Sequence, residues 1–176
     1  MAVILGAVYP DLFAAIGVHS GAEYRATSSF RGVLRVGQRG GPDPLQQGQA
    51  AYNAMGRLAR VVPTIVFQGT RDFIVRPING DQVIQQWMHT NALASGRIYN
   101  ASFNAPASAV PGTIPDGHSY NVYTWKDRYG NEIQQYWKVR GLGHAWSGGS
   151  PDVSYTDPRG PDASLAMYTF FMKHPL

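Results

Sequence analysis

Two short, unbroken apolar runs limit what this chain can become. Phe13-Ala14-Ala15-Ile16-Gly17-Val18 ends at His19-Ser20-Gly21, and Pro63-Thr64-Ile65-Val66-Phe67-Gln68 ends at Gly69-Thr70-Arg71-Asp72. Runs this short, bounded by turn residues, read as strands buried on both faces, as in a parallel sheet. The segments around them agree. Met1–Val8 is apolar and stops at Tyr9-Pro10-Asp11, because Pro10 disfavours helix in the residue before it. It reads as the tail of a buried helix with no cap residue at its start. Leu45–Leu58 carries Ala51, Met55 and Leu58 at helical spacing. Ile78–Leu93 places Val83, Ile84, Trp87 and Met88 on one face, with Asn79 as cap. Strand, loop and helix in that order form the right-handed crossover of a parallel sheet.

The remaining segments are less regular. Ala22–Pro44 mixes Gly, Ser, Arg and Gln without a clean period and reads as a long surface loop. Ala94–His118 reads as an irregular insertion. Tyr120–Trp125 and Ile133–Val139 alternate aromatic with polar residues around Asp127-Arg128-Tyr129-Gly130-Asn131, which predicts a β-hairpin. The second arm runs directly into Gly141-Leu142-Gly143-His144-Ala145-Trp146-Ser147-Gly148-Gly149. Ser150–Gly160 reads as a polar loop. Pro161-Asp162 opens a final helix, Ala163–Lys173, with Leu165, Tyr168, Phe170 and Phe171 facing inward. No repeat and no linker interrupts the chain, so residues 1–176 are expected to form one domain.

Composition narrows the function classes. Only 15% of residues are charged, against 20 glycines and 12 prolines, which favours a loop-rich α/β fold over a helical bundle. The net charge of +4 is scattered, with one local cluster at Arg25, Arg31, Arg35 and Arg39. It lacks the stripe with interleaved aromatics that a nucleic-acid partner would need. The absence of cysteine excludes disulfides, thiolate metal sites and a cysteine nucleophile. No stretch approaches the roughly 20 apolar residues that span a bilayer. The N-terminus has no basic residue before its apolar run, so no signal peptide is expected. The histidine spacing suggests no metal site, and no cofactor is expected.

The chemistry concentrates after the predicted strands. His144 sits among glycines just past a strand, where a side chain can point into a crevice outside the strand's carboxyl end. With a pKa near neutrality, it is a candidate general base. A glycine-rich turn with an incidental histidine is the alternative. Asp72 follows another strand. A carboxylate there could accept from one imidazole nitrogen and leave the other free to take a proton from a nucleophile. Asp72 could equally cap a turn. Acid before histidine is the α/β-hydrolase chain order, but no Gly-x-Ser-x-Gly elbow is present. Ser20 has flanking glycines at the wrong spacing, and Ser147 lies too close in sequence to His144. His19, His89, His118 and His174 read as surface or packing histidines.

Gly69-Thr70-Arg71-Asp72-Phe73-Ile74-Val75, Asn79-Gly80, Gly143–Gly149, and Gly160-Pro161-Asp162-Ala163-Ser164 with Phe170-Phe171 together resemble the polyhydroxybutyrate depolymerase family of esterases. These are α/β-hydrolases related to feruloyl and acetyl xylan esterases. Met1-Ala2-Val3 and Tyr9–Ala15 resemble the helix after that family's nucleophile elbow. The resemblance runs in order along nearly the whole chain. It implies the C-terminal part of an α/β-hydrolase fold: a mostly parallel sheet flanked by helices, with a β-hairpin before the histidine loop. It also implies Asp72 as triad acid, His144 as triad base and Trp146 lining the ester pocket. The nucleophilic serine would lie a few residues before Met1, which leaves this chain inactive alone. Implied partners are a polyester or ester-decorated polysaccharide and, through a sheet edge left open, a second copy of the chain. The implied location is extracellular. The alternative is a non-catalytic module that binds a polyester or polysaccharide on a face of Tyr120, Tyr123, Trp125, Tyr136 and Trp137.

Overall fold

A computed structural model describes residues 1–176. The strand Thr64–Gly69 (called β2, the second in chain order) is buried at every position, as its unbroken apolar run requires. Its neighbours in the sheet are β1, Ile16–His19, on one side and β5, Glu132–Val139, on the other, both parallel to it. Beyond β5 the hairpin partner β4, Ser119–Lys126, runs antiparallel, followed by β3, Ser108–Thr113. The five-stranded order is β1-β2-β5-β4-β3. Helices α1 (Ala2–Val8), α2 (Phe30–Arg39), α3 (Pro44–Met55), α4 (Pro77–Ala94) and α5 (Ala163–Met172) surround it. Two short strands, β6 (Trp146–Ser147) and β7 (Thr156–Asp157), pair outside the main sheet. No helix is long and apolar enough to cross a membrane.

The alternation along β2 divides the core. Val66 points to one face, where Val83, Ile84, Trp87 and Met88 of α4 meet Val3, Ala7, Ala51, Met55 and Tyr136. Ile65 and Phe67 point to the other, against Val139, Leu142 and the α5 residues Ala163, Met167 and Phe170. Burying both faces removes the apolar run from water, at about 25 cal/mol per Å².

Several expectations need correction. The first strand begins at Ile16, not Phe13, because the Arg60 guanidinium takes the carbonyls of Pro10, Phe13 and Ala14. The supposed surface loop 22–44 contains α2, started by Ser29, whose Oγ accepts from the Gly32 amide at 3.1 Å. Its Phe30, Val33 and Leu34 face solvent, so the apolar stripe covers no core. The insertion 94–118 holds β3, which exists because β4 pairs with it. Asn79 does not cap α4. It is the third residue of the helix, within its first turn, and its Nδ2 donates to the carbonyls of Gly37 and Arg76, both at 3.1 Å. Pro77 opens that helix with a fixed φ in place of a side-chain cap. Helix α5 begins at Ala163 as expected, with Asp162 as its cap accepting from Leu165 N at 2.9 Å, but Pro161 lies before the cap and not in the first turn. Of the residues expected inward on α5, only Phe170 is buried. Leu165, Tyr168 and Phe171 are exposed, and Ala163 and Met167 take the inner face.

Strand β1 lies at the edge of the sheet. The amides of Ile16 and Ser20 bond the β2-side carbonyls of Pro63 and Phe67 at 2.9 and 3.0 Å. Peptide groups alternate along a strand, so those of Gly17 and His19 face the open side. An unpaired edge recruits other strands. We expect concentration-dependent self-association or segment exchange through this edge, read by light scattering after size exclusion. A monodisperse monomer across a hundredfold concentration range would rule it out.

Candidate active site

Three loops leave the same end of three adjacent parallel strands: 20–24 after β1, 70–76 after β2 and 140–145 after β5. The register aligns Gly69 with Val139 and His19 with Phe67, which brings the loop roots together. Crevices outside the carboxyl ends of parallel strands are where α/β proteins hold ligands. The second and third loops are stitched to each other. Thr70 N donates to Val139 O at 2.9 Å, Arg71 N to Leu142 O at 3.0 Å, and Gly141 N to Thr70 Oγ1 at 3.0 Å. Such close approach needs Gly69, since a Cβ there would collide with the Leu142 carbonyl.

Asp72 and His144 meet across 72 residues of sequence. His144 Nδ1 lies 2.8 Å from Asp72 Oδ2. A carboxylate only accepts, so the shared proton sits on Nδ1. The other carboxylate oxygen, Oδ1, accepts from the amides of Ile74 and Val75 at 3.0 and 2.8 Å. Asp72 therefore does both things the sequence allowed: one oxygen caps its own turn, the other holds the imidazole. Its side chain is fully buried, while that of His144 is 32% exposed. No protein atom bonds His144 Nε2. The ring lines an open cleft of about 470 Å³ with His19, Ser20, Ile74, Ala145, Trp146 and Tyr155.

Trp146, the residue singled out for the ester pocket, does line that cleft, and its Nε1 donates to Ser164 Oγ at 3.1 Å. Ser147 faces elsewhere, with its Oγ donating to Pro161 O at 2.6 Å. No Lys, Arg, Asp or Glu lines the cleft, which suits an uncharged ligand. The clusters contain no group of three or more residues able to hold a metal ion.

The cleft also takes in His19 and Ser20, which the sequence reading weighed and set aside, Ile74, which it quoted without a role, and Tyr155, which it did not single out. His19 carried the same signal as Asp72 and His144, a titratable residue just past a buried strand. Without a glycine setting like that of His144, the sequence reads it as a surface or packing histidine. Burial lowers its pKa to about 4, outweighing the upward pull of Asp72, with His144 lowering it further. Ser20 adopts φ +47°, a left-handed conformation rare for serine, and its Oγ is sealed from solvent without a partner. Tyr155 also has a positive φ, +59°, which no sequence pattern announced. His118 is likewise paired. Its Nε2 lies 2.9 Å from Asp157 Oδ2, and Arg159 bonds both oxygens of that carboxylate. Arg159 first, then His118, hold Asp157 well below the usual carboxylate range, against the upward push of burial. The hairpin aromatics do not form an open stacking face, since Trp125 and Tyr136 are buried.

A mostly parallel sheet flanked by helices thus carries an aspartate–histidine pair at the carboxyl ends of its strands. A family model described as Esterase PHB depolymerase matches residues 1–101, and the chain belongs to that family. The matched span includes Asp72 and stops before His144. Among solved structures, an acetyl xylan esterase from Aspergillus awamori is similar in fold, with a TM-score of 0.61 and 20% identity over 81% of this chain. The chain spans about half of that structure, 49% of its length. No curated protein matches the sequence.

Proposed function

We propose that this chain carries the acid and base of a serine carboxylester hydrolase of the depolymerase and feruloyl esterase type. The observation that supports this most is the 2.8 Å bond between His144 Nδ1 and Asp72 Oδ2, which leaves Nε2 without a protein partner on a ring that lines the cleft. In the proposed cycle, Nε2 takes the proton of a serine hydroxyl as its oxygen attacks the ester carbonyl. The resulting imidazolium stays on the Asp72 carboxylate and returns the proton to the departing alcohol. Water, deprotonated by the same nitrogen, then cleaves the acyl-enzyme. Trp146 offers an apolar wall for the ester. The serine comes from outside these 176 residues, in a Gly-x-Ser-x-Gly segment placed against the cleft. The substrate is a polyester or an ester-decorated polysaccharide, met outside the cell.

A second assignment of the nucleophile rests on Ser20, which shares the cleft and has a left-handed backbone. Its Oγ would have to turn out of its sealed position to attack. Turnover of p-nitrophenyl butyrate separates the two. The chain alone is expected to stay at the background rate, unchanged by Ser20→Ala. Robust turnover abolished by Ser20→Ala would assign the nucleophile to Ser20. The coding sequence upstream of Met1 provides the complementary test: an in-frame Gly-x-Ser-x-Gly should yield an extended, active chain. If that extended chain keeps its rate with His144→Ala, the hydrolase proposal fails.

A further inference from the structure

His19 stands 128 residues from the loop that bears His144, yet touches it directly. Its Nε2 lies 3.1 Å from the Ser147 amide nitrogen. An amide can only donate, so Nε2 is the acceptor and the ring proton belongs on Nδ1. The ring is also held between two others. Trp146 stacks on it at 4.8 Å between centroids, tilted 24°, and Phe67 lies at 5.7 Å, tilted 11°. Phe67 stacks in turn on Trp137 at 4.9 Å. This row follows the strand register, in which His19 opposes Phe67 and Phe67 opposes Trp137.

The consequence falls on the loop. Gly143 and Gly148–Gly149 flank it, and glycine resists fixing by backbone preference alone. On its outer side, Trp146 and Ser147 are tied to Ser164 and Pro161 near the start of α5. On its inner side, among side chains of the sheet, the hydrogen bond to this loop comes from His19.

We propose that His19 is a positioning residue, one whose Nε2 holds the Ser147 amide and whose ring braces Trp146, so that His144 stays seated on Asp72. The proposal rests on Asp72 and His144 being the catalytic pair. The low pKa of His19 fits the role, because a protonated ring could not accept from the Ser147 amide. His19 itself need not touch the reacting atoms.

The test reads tautomers and needs no turnover. Long-range proton–nitrogen NMR correlations through the non-exchanging ring protons report which nitrogen of each imidazole carries hydrogen. At a pH where the rings are neutral, wild-type His19 and His144 should both be Nδ1–H forms. His19→Phe keeps the bulk and stacking but removes the acceptor, and should shift His144 to a mixture of tautomers. His19→Gln restores an acceptor and should return His144 toward the Nδ1–H form. Asp72→Asn serves as the control for the pair. If it leaves His144 unchanged, the pairing itself fails and the proposal falls with it. If Asp72→Asn moves His144 but His19→Phe does not, the pair stands and the role of His19 is overturned. An Nε2–H tautomer of His19 in the wild-type protein overturns it without any variant, should His19→Phe fail to fold.

Discussion

Replacing Asp72 with asparagine is expected to lower kcat for ester hydrolysis by about ten-thousandfold in the proposed serine-bearing extended chain, the scale seen when a triad aspartate becomes an amide. The reasoning follows the two carboxylate oxygens separately. Oδ1 accepts from the Ile74 and Val75 amides, and the amide oxygen of asparagine can do the same. The turn is thereby preserved, and the NH₂ group takes the place of Oδ2 facing His144 Nδ1. That group donates, so Nδ1 must accept and the ring proton moves to Nε2. The nitrogen facing the cleft then carries hydrogen and cannot act as a base. KM should change little, because Asp72 is buried and does not line the cleft. The tautomer switch is measurable by NMR in the chain as it stands. A variant whose His144 keeps hydrogen on Nδ1 while losing activity would contradict this account.

The second large effect concerns Glu23, which does not line the cleft. It is 4% exposed, and neither carboxylate oxygen has a hydrogen-bond partner. Burial, aided by the nearby negative charge of Asp43, pushes its pKa from 4.5 to about 8. The folded state therefore keeps this proton while the unfolded chain loses it above pH 4.5. Stability is greatest below that value, falls as pH rises toward 8, and levels off once the folded state ionises too. Each pH unit in the window is worth about 1.4 kcal/mol, so at pH 7 the loss is on the order of 3 kcal/mol. Glu23→Gln has nothing to ionise. It should be nearly neutral at pH 4 and should stabilise the protein by a few kcal/mol at pH 7 to 8. Urea unfolding across this range measures the difference. A gap between variant and wild type that stays constant with pH would show that Glu23 does not titrate in this window.

Much of the framework was legible because it depends on neighbours close in sequence. The run around β2, the α4 face of Val83, Ile84, Trp87 and Met88, and the turn between β4 and β5 all follow from local periodicity and turn chemistry. The placement of Asp72 and His144 followed from the same logic, since each comes just after a strand. The errors share a different cause. Phe30, Val33 and Leu34 have a helical spacing without a surface to cover. Ser108–Thr113 is a strand only because Ser119–Lys126 lies beside it, and neither its composition nor Pro111 suggested it. Hydrophobicity alone points Leu165 and Tyr168 inward, whereas the packing of α5 on β2 chooses Met167 and Phe170.

By itself, then, the sequence determined the α/β character of the chain, the positions of its two main parallel strands, and an acid and an imidazole at strand ends. These follow from side-chain period and backbone preference, which act within a few residues. The tertiary structure alone decided that one Asp72 oxygen caps while the other pairs, that His19 holds the histidine loop, and that Glu23 is buried without a partner. Those outcomes depend on distance and desolvation between groups brought together by the fold, and a linear order of residues carries neither.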